Sequence, residues 1–128
     1  MRRTAAVFAG AAALSAAFTL QAAAAPAQIT APNARAAAEV DSLGRLQRQK
    51  NVIDSYRPFT GVYCVIVDPS AGIDLPSALI LANGGVGTDS VQILREPTQS
   101  CGNRRDAITV VPVKDGRQTD AEFTIAVL

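Results

Sequence analysis

The chain has no histidine and no tryptophan, and among its 128 residues only two cysteines and one methionine. Without histidine, Ser-His-Asp triads, Cys-His dyads and histidine-ligated metal centres are excluded, and two cysteines are too few to hold zinc alone. A Gly-rich phosphate cradle is missing too. The glycines of Asn83-Gly84-Gly85-Val86-Gly87 lack the following Lys-Ser/Thr pair, so they read as a turn. Strong net charge is also lacking, since 12 basic and 11 acidic residues leave +1. Nucleic-acid binders draw much of their affinity from neutralising phosphates, and the one basic doublet, Arg104-Arg105, is followed at once by Asp106. No nucleic-acid partner, cofactor or metal follows from this composition. Asp115 and Asp120 offer only a thin outline of a calcium site, because the Asp-x-Asp-x-Asp-Gly pattern of dedicated loops is absent.

What is abundant is alanine at the start. The apolar share of 48% rests heavily on MRRTAAVFAGAAALSAAFTLQAAAA. Arg2 and Arg3 supply a positive n-region, residues 5–20 an uncharged apolar run, and the small residues from Ala22 an A-x-A cleavage tract before Pro26. A membrane span needs about 20 strongly apolar residues; this run is shorter, weakly hydrophobic and followed by no Lys/Arg stop-transfer cluster. Residues 1–24 therefore read as a cleaved signal peptide, cut after Ala24 or, as second choice, after Ala27. The expected address is secreted or periplasmic, with no transmembrane segment after processing. Removing Arg2 and Arg3 leaves ten basic against eleven acidic residues, a formal charge of −1.

The two cysteines fit that address. Cys64 and Cys101 lie beyond the signal, an even count for an oxidising compartment. Cys64 sits in the apolar run GVYCVIV and Cys101 in the polar turn Ser100-Cys101-Gly102. They are expected to pair. In the chain-entropy model a cross-link over such a separation stabilises a small fold by roughly 4 kcal/mol.

Residues 25–33, rich in Ala, Pro and small polar side chains, read as a flexible leader, and residues 34–128 as a single β domain. In 35–50, alanines with Leu43 and Leu46 could line a helix, but Asp41-Ser42-Leu43-Gly44 is turn chemistry, so a hairpin is favoured. From Val52 onward, β-branched and aromatic runs alternate with turn clusters, predicting strands over 51–57, 61–68, 77–83, 90–96, 107–114 and 121–128. Within 61–68 both alternating sets are apolar, which marks a strand buried on two sides. In 121–128 Phe123, Ile125 and Val127 alternate with Glu122 and Thr124, which marks one wetter face. The expected fold is all-β, a small antiparallel sandwich or barrel of six to eight short strands.

Three stretches, Asp41-Ser42-Leu43-Gly44-Arg45-Leu46, Thr60-Gly61-Val62-Tyr63-Cys64-Val65 and the closing strand with Asp120, Phe123 and Val127, carry a resemblance. They resemble a class of small exported β domains of high-GC bacteria, which share a T-G-x-Y-x-V strand and an Asp-x-x-Phe-x-x-x-Val closing strand. The resemblance implies export and a β fold, and carries over no catalytic residues.

Carboxylates remain as candidates for chemistry, since paired Asp or Glu hydrolyse glycosides without histidine. Asp68, Asp74, Asp89, Asp115 and Asp120 all sit in or beside predicted turns, where Asp is favoured for local hydrogen bonding alone. Tyr56, Phe59 and Tyr63 could form an exposed aromatic patch or cap the core. The favoured function is an exported, non-catalytic module acting on an extracellular or envelope partner through strand edges or the loops 71–76 and 83–89. The alternative is a small carboxylate hydrolase acting on an extracellular polymer.

Overall fold

The computed structural model describes residues 25–128, so the predicted signal peptide lies outside the described residues. Ten strands follow in order: β1 (Ala27–Gln28), β2 (Ala36–Val40), β3 (Leu46–Lys50), β4 (Val52–Phe59), β5 (Val62–Val67), β6 (Ile80–Gly84), β7 (Ser90–Leu94), β8 (Ala107–Lys114), β9 (Arg117–Gln118) and β10 (Phe123–Val127). Eight of them have five or more residues. Residues 35–50 form the favoured hairpin, β2 pairing antiparallel with β3. Asp41 makes its turn: its carboxylate accepts the backbone N–H groups of Leu43 (3.0 Å) and Arg45 (2.8 Å), which halts any helix before it can start.

The strands divide into two sheets. The first has the order β1-β3-β2-β10-β6, and the second β4-β5-β8-β7 with β9 added to β8. All pairings are antiparallel except β1 with β3. Alternation places one core between the sheets. From the first sheet Ala38, Val40, Phe123 and Ile125 point inward, and from the second Tyr63, Val65, Ile108 and Val110 meet them. Neither sheet closes on itself, so the layered arrangement holds and the closed barrel does not. Only Asn51 separates β3 from β4. Its φ of 52° swings the chain from one sheet to the other, a conformation asparagine tolerates better than most residues.

Strand β5 is buried on both sides, as its sequence requires. Tyr63, Val65 and Val67 enter the main core, while Cys64 and Ile66 form a second cluster with Cys101 and Ala107 on the outer side of the second sheet. Cys64 and Cys101 form a disulfide with Cα atoms 5.6 Å apart. That bond and the contact between Thr98 Oγ1 and Thr109 Oγ1 (2.7 Å) hold residues 97–106 across β5 and β8.

Several boundaries differ from the sequence reading, for local reasons. The strand expected over 77–83 begins at Ile80, because Leu75–Ser77 is a 3-10 turn with proline in its first turn. It then runs through Gly84, past the predicted Asn83-Gly84-Gly85 turn, because Gly84 pairs with Phe123. β4 continues through Pro58 to Phe59, which an edge strand permits. β7 stops at Leu94 and β10 starts at Phe123. Within the predicted leader, Ala27–Gln28 form a short strand along β3.

Candidate functional site

Three sequence-distant segments meet at one end of the molecule. Tyr63 Oη donates to the Ser42 carbonyl (2.6 Å) and accepts from the Ala121 amide (3.1 Å). Arg57 pairs with Asp120 and also donates to the Ser42 carbonyl (3.3 Å). The other Asp120 oxygen accepts the Gly61 amide at 2.6 Å. Two glycines permit this convergence. A Cβ on Gly44 (φ +88°) would lie 2.7 Å from the Arg57 nitrogen, and one on Gly61 (φ +73°) 2.8 Å from the Thr119 nitrogen. Tyr63 then meets Phe123 edge-on, ring centres 5.2 Å apart. Burial pushes the Tyr63 hydroxyl pKa up, an effect opposed by the Ala121 amide and reinforced by the Asp120 charge.

Every partner in this cluster is occupied, which marks it as a structural tie between hairpins. Sequence reasoning did not anticipate it. The residues themselves stood out in the sequence, Asp41 to Gly44 as a turn, Tyr63 within an apolar run and Asp120 as a turn aspartate, but nothing in it linked them.

Four of the five candidate carboxylates, Asp68, Asp74, Asp89 and Asp120, accept hydrogen bonds from nearby groups, and Asp115 lies beside Asp89. Asp68 caps the 3-10 turn Pro69–Ala71, accepting the Ser70 amide (2.9 Å) and hydroxyl (2.8 Å), which holds its carboxyl below the usual range. Asp74 accepts the Ser77 hydroxyl, and Asp89 the Asp115 amide (2.7 Å). Asp115 is itself a turn residue with φ 50°. Asp120 belongs to the tie. Among the described residues no three Asp, Glu, Cys or His side chains come together as a metal-holding group, so Asp115 and Asp120 do not gather a calcium cage. The three aromatics are also separated: Tyr63 is in the core, whereas Tyr56 and Phe59 are at the surface, so no three-ring patch forms.

Two hollows border the loops singled out from sequence. One, of about 290 Å³, lies at the end of the first sheet between Asp41, Gln47, Gly85 and Glu122. Its Asp41 is committed to structure. Burial works against its charge, but the Arg45 amide, the Arg45 guanidinium and the Leu43 amide outweigh that and pull its pKa down. Glu39, also lining it, is paired with Arg48 at 2.8 Å. The other hollow, of about 440 Å³, lies between the 72–76 loop and the disulfide-held loop. Ile73, Leu75, Pro76 and Pro97 give it apolar walls, and Asp74, Glu96 and Arg105 give it charges of both signs.

Both walls of the second hollow are braced from behind. Arg35 donates to the Gly72 carbonyl (3.1 Å) and Arg95 to the Ala78 carbonyl (2.8 Å). On the opposite wall, Arg104 forks onto Asp106 through 2.8 and 2.7 Å bonds, which leaves Arg105 to line the hollow. The hollow thus combines apolar walls with charges of both signs.

No family model matches the chain, and no curated protein or solved structure matches it either.

Proposed function

We propose that the chain is an exported, non-catalytic binding module that engages an extracellular or envelope partner. Export is supported by the signal-like N-terminal segment and by a buried disulfide, a bond that persists in oxidising compartments. Among the described residues no helix is long and apolar enough to cross a membrane. The observation that carries the binding role is the hollow between the 72–76 loop and the disulfide-held loop. Its walls are preformed, apolar and dotted with charges, which lowers the ordering cost of taking a ligand.

The test is capture from extracellular and envelope fractions with the oxidised protein as bait, repeated with Arg105→Glu and Glu96→Arg and with Ile53→Asp as a control on the exposed face of β4. A partner retained by wild type and control but lost from both hollow variants is the expected result. A partner held equally by all four would move the binding site elsewhere. Release of reducing ends from a wall polymer would replace this reading with the carboxylate hydrolase.

A further inference from the structure

Among the described residues, no loop or strand covers the outer face of the first sheet. Antiparallel registers fix which side chains share it. Leu81 stands opposite Ala126, and Ala126 opposite Ala37; one rung further, the Leu128 amide bonds the Leu79 carbonyl at 2.9 Å. Leu79, Leu81 and Leu128 are 58%, 52% and 44% exposed, so three leucines are grouped in water. Scattered surface leucines need no explanation, but a contiguous group on a sheet face does.

We propose that this face is the contact surface of a reversible two-fold dimer, its occupant being the same face of a second copy. The exposed leucines lie on the β6 side, and the charged side chains of this face lie towards the β3 edge, where each is held by an internal contact. Arg35 and Lys50, at the far edge of these rungs, are turned to the Gly72 and Ala31 carbonyls, and Arg48 on the next rung is paired with Glu39. The relief is self-complementary. Leucines protrude on the β6 side, Ala126 and Ala37 lie lower on β10 and β2 beside Thr124 and Glu39, and a shallow recess of about 190 Å³ lined by Leu81, Asn83, Thr124 and Ala126 can take a leucine from the facing copy. The area sets the strength. Four strands about 4.8 Å apart and five residues of about 3.4 Å each span roughly 19 by 17 Å. With side-chain texture that amounts to on the order of 500 Å² per copy, at the low end for a specific interface. The association is therefore weak and concentration-dependent, and it is independent of the ligand-binding proposal above.

Sedimentation of the protein as its producing cell yields it, with the N-terminus established by mass, tests this. Between about 10 μM and 1 mM the mean mass should climb from monomer towards dimer, consistent with the weak end of interface affinities. Leu81→Asp should weaken dimerisation at least tenfold, and Ile53→Asp should leave it unchanged. Circular dichroism confirms that each variant is folded, and Leu79→Lys serves if Leu81→Asp is not. Amide shifts on dilution of the wild type should cluster at residues 37, 79–82 and 124–128. A wild type that stays monomeric to 1 mM, or a folded Leu81→Asp that dimerises like wild type, overturns the proposal. So does a monomer that binds neutral phosphatidylcholine vesicles through Leu81, which would assign the face to lipid.

Discussion

On the outer side of the second sheet Cys64, Ile66 and Ala107 lie buried beneath residues 97–106, whereas on the outer side of the first sheet Leu79, Leu81 and Leu128 stand in water. Both sheets present apolar side chains outward; the 97–106 loop covers Cys64, Ile66 and Ala107 on the second, with Tyr56 and Leu94 beside them still exposed, and among the described residues no loop covers the first. The difference is covalent. Residues 97–106 bury few apolar side chains, Cys101 among them, and a loop so poor in core contacts would stay open without a tether. The Cys64–Cys101 bond removes most of the freedom that the open loop would enjoy. A small domain thus gains a second, smaller core on the outer face of its second sheet.

The largest expected effect comes from removing the tether. Cys64→Ser combined with Cys101→Ser should cost about 4 kcal/mol in denaturant unfolding, with hydrogen exchange accelerated first in residues 97–106 and then in β5. A loss under about 1 kcal/mol would mean that the loop holds its place by packing, and the contrast between the faces would dissolve.

Next is Tyr63→Phe, which tests whether the two sheets are also tied at their end. The change strands the Ala121 amide and leaves the Ser42 carbonyl only the longer Arg57 bond, and should cost about 1–3 kcal/mol, read from urea midpoints at constant slope. The same hydroxyl predicts behaviour in alkali. Its pKa is raised on folding, so its contribution is complete below the unfolded tyrosine value near 10 and is lost as pH rises through the higher folded value.

Acid separates the faces more gently. Asp106 in the covering loop is lowered by the Arg104 hydrogen bond, against burial, and Asp41 in the β2–β3 turn by the Arg45 and Leu43 donors that outweigh its burial. A depressed carboxylate stabilises above the unfolded value near 4 and loses that contribution as pH falls through the folded one. Asp106→Asn should flatten the acid dependence of exchange in the loop and leave the β2–β3 turn unchanged; Asp41→Asn should do the reverse. Equal effects of either substitution on both regions would show that the faces titrate as one unit.

The smallest effect on stability belongs to Leu81→Asp, within about 0.5 kcal/mol because the side chain is already exposed. A large destabilisation would show that the bare face supports the fold of the single chain.

Much of the local structure was legible. The two-sided apolar run at Gly61 to Asp68 announced a strand buried on both faces, and Asp41-Ser42-Leu43-Gly44 announced a hairpin against the helical draw of its alanines. Composition alone brought Cys64 and Cys101 together, since nothing else in the chain could use them. Boundaries were harder, because Gly84 and Pro58 read as breakers in isolation, yet one pairs with Phe123 and the other sits on an edge. The candidate site was less legible still. Asp120 looked like any turn aspartate, and nothing near it in sequence said that Gly61 and Arg57 would be its partners.

The sequence by itself determined where strands form, which of their faces are apolar, and that one disulfide is available, because alternation and turn chemistry act over a few residues. Only the tertiary structure decided that the last strand lies between β2 and β6, that Ser42, Arg57, Tyr63 and Asp120 meet, and that a loop packs over Cys64 and Ile66 on the second sheet. Those outcomes depend on registers between segments far apart in the chain, which are set by how two apolar faces pack together and carry no local signature.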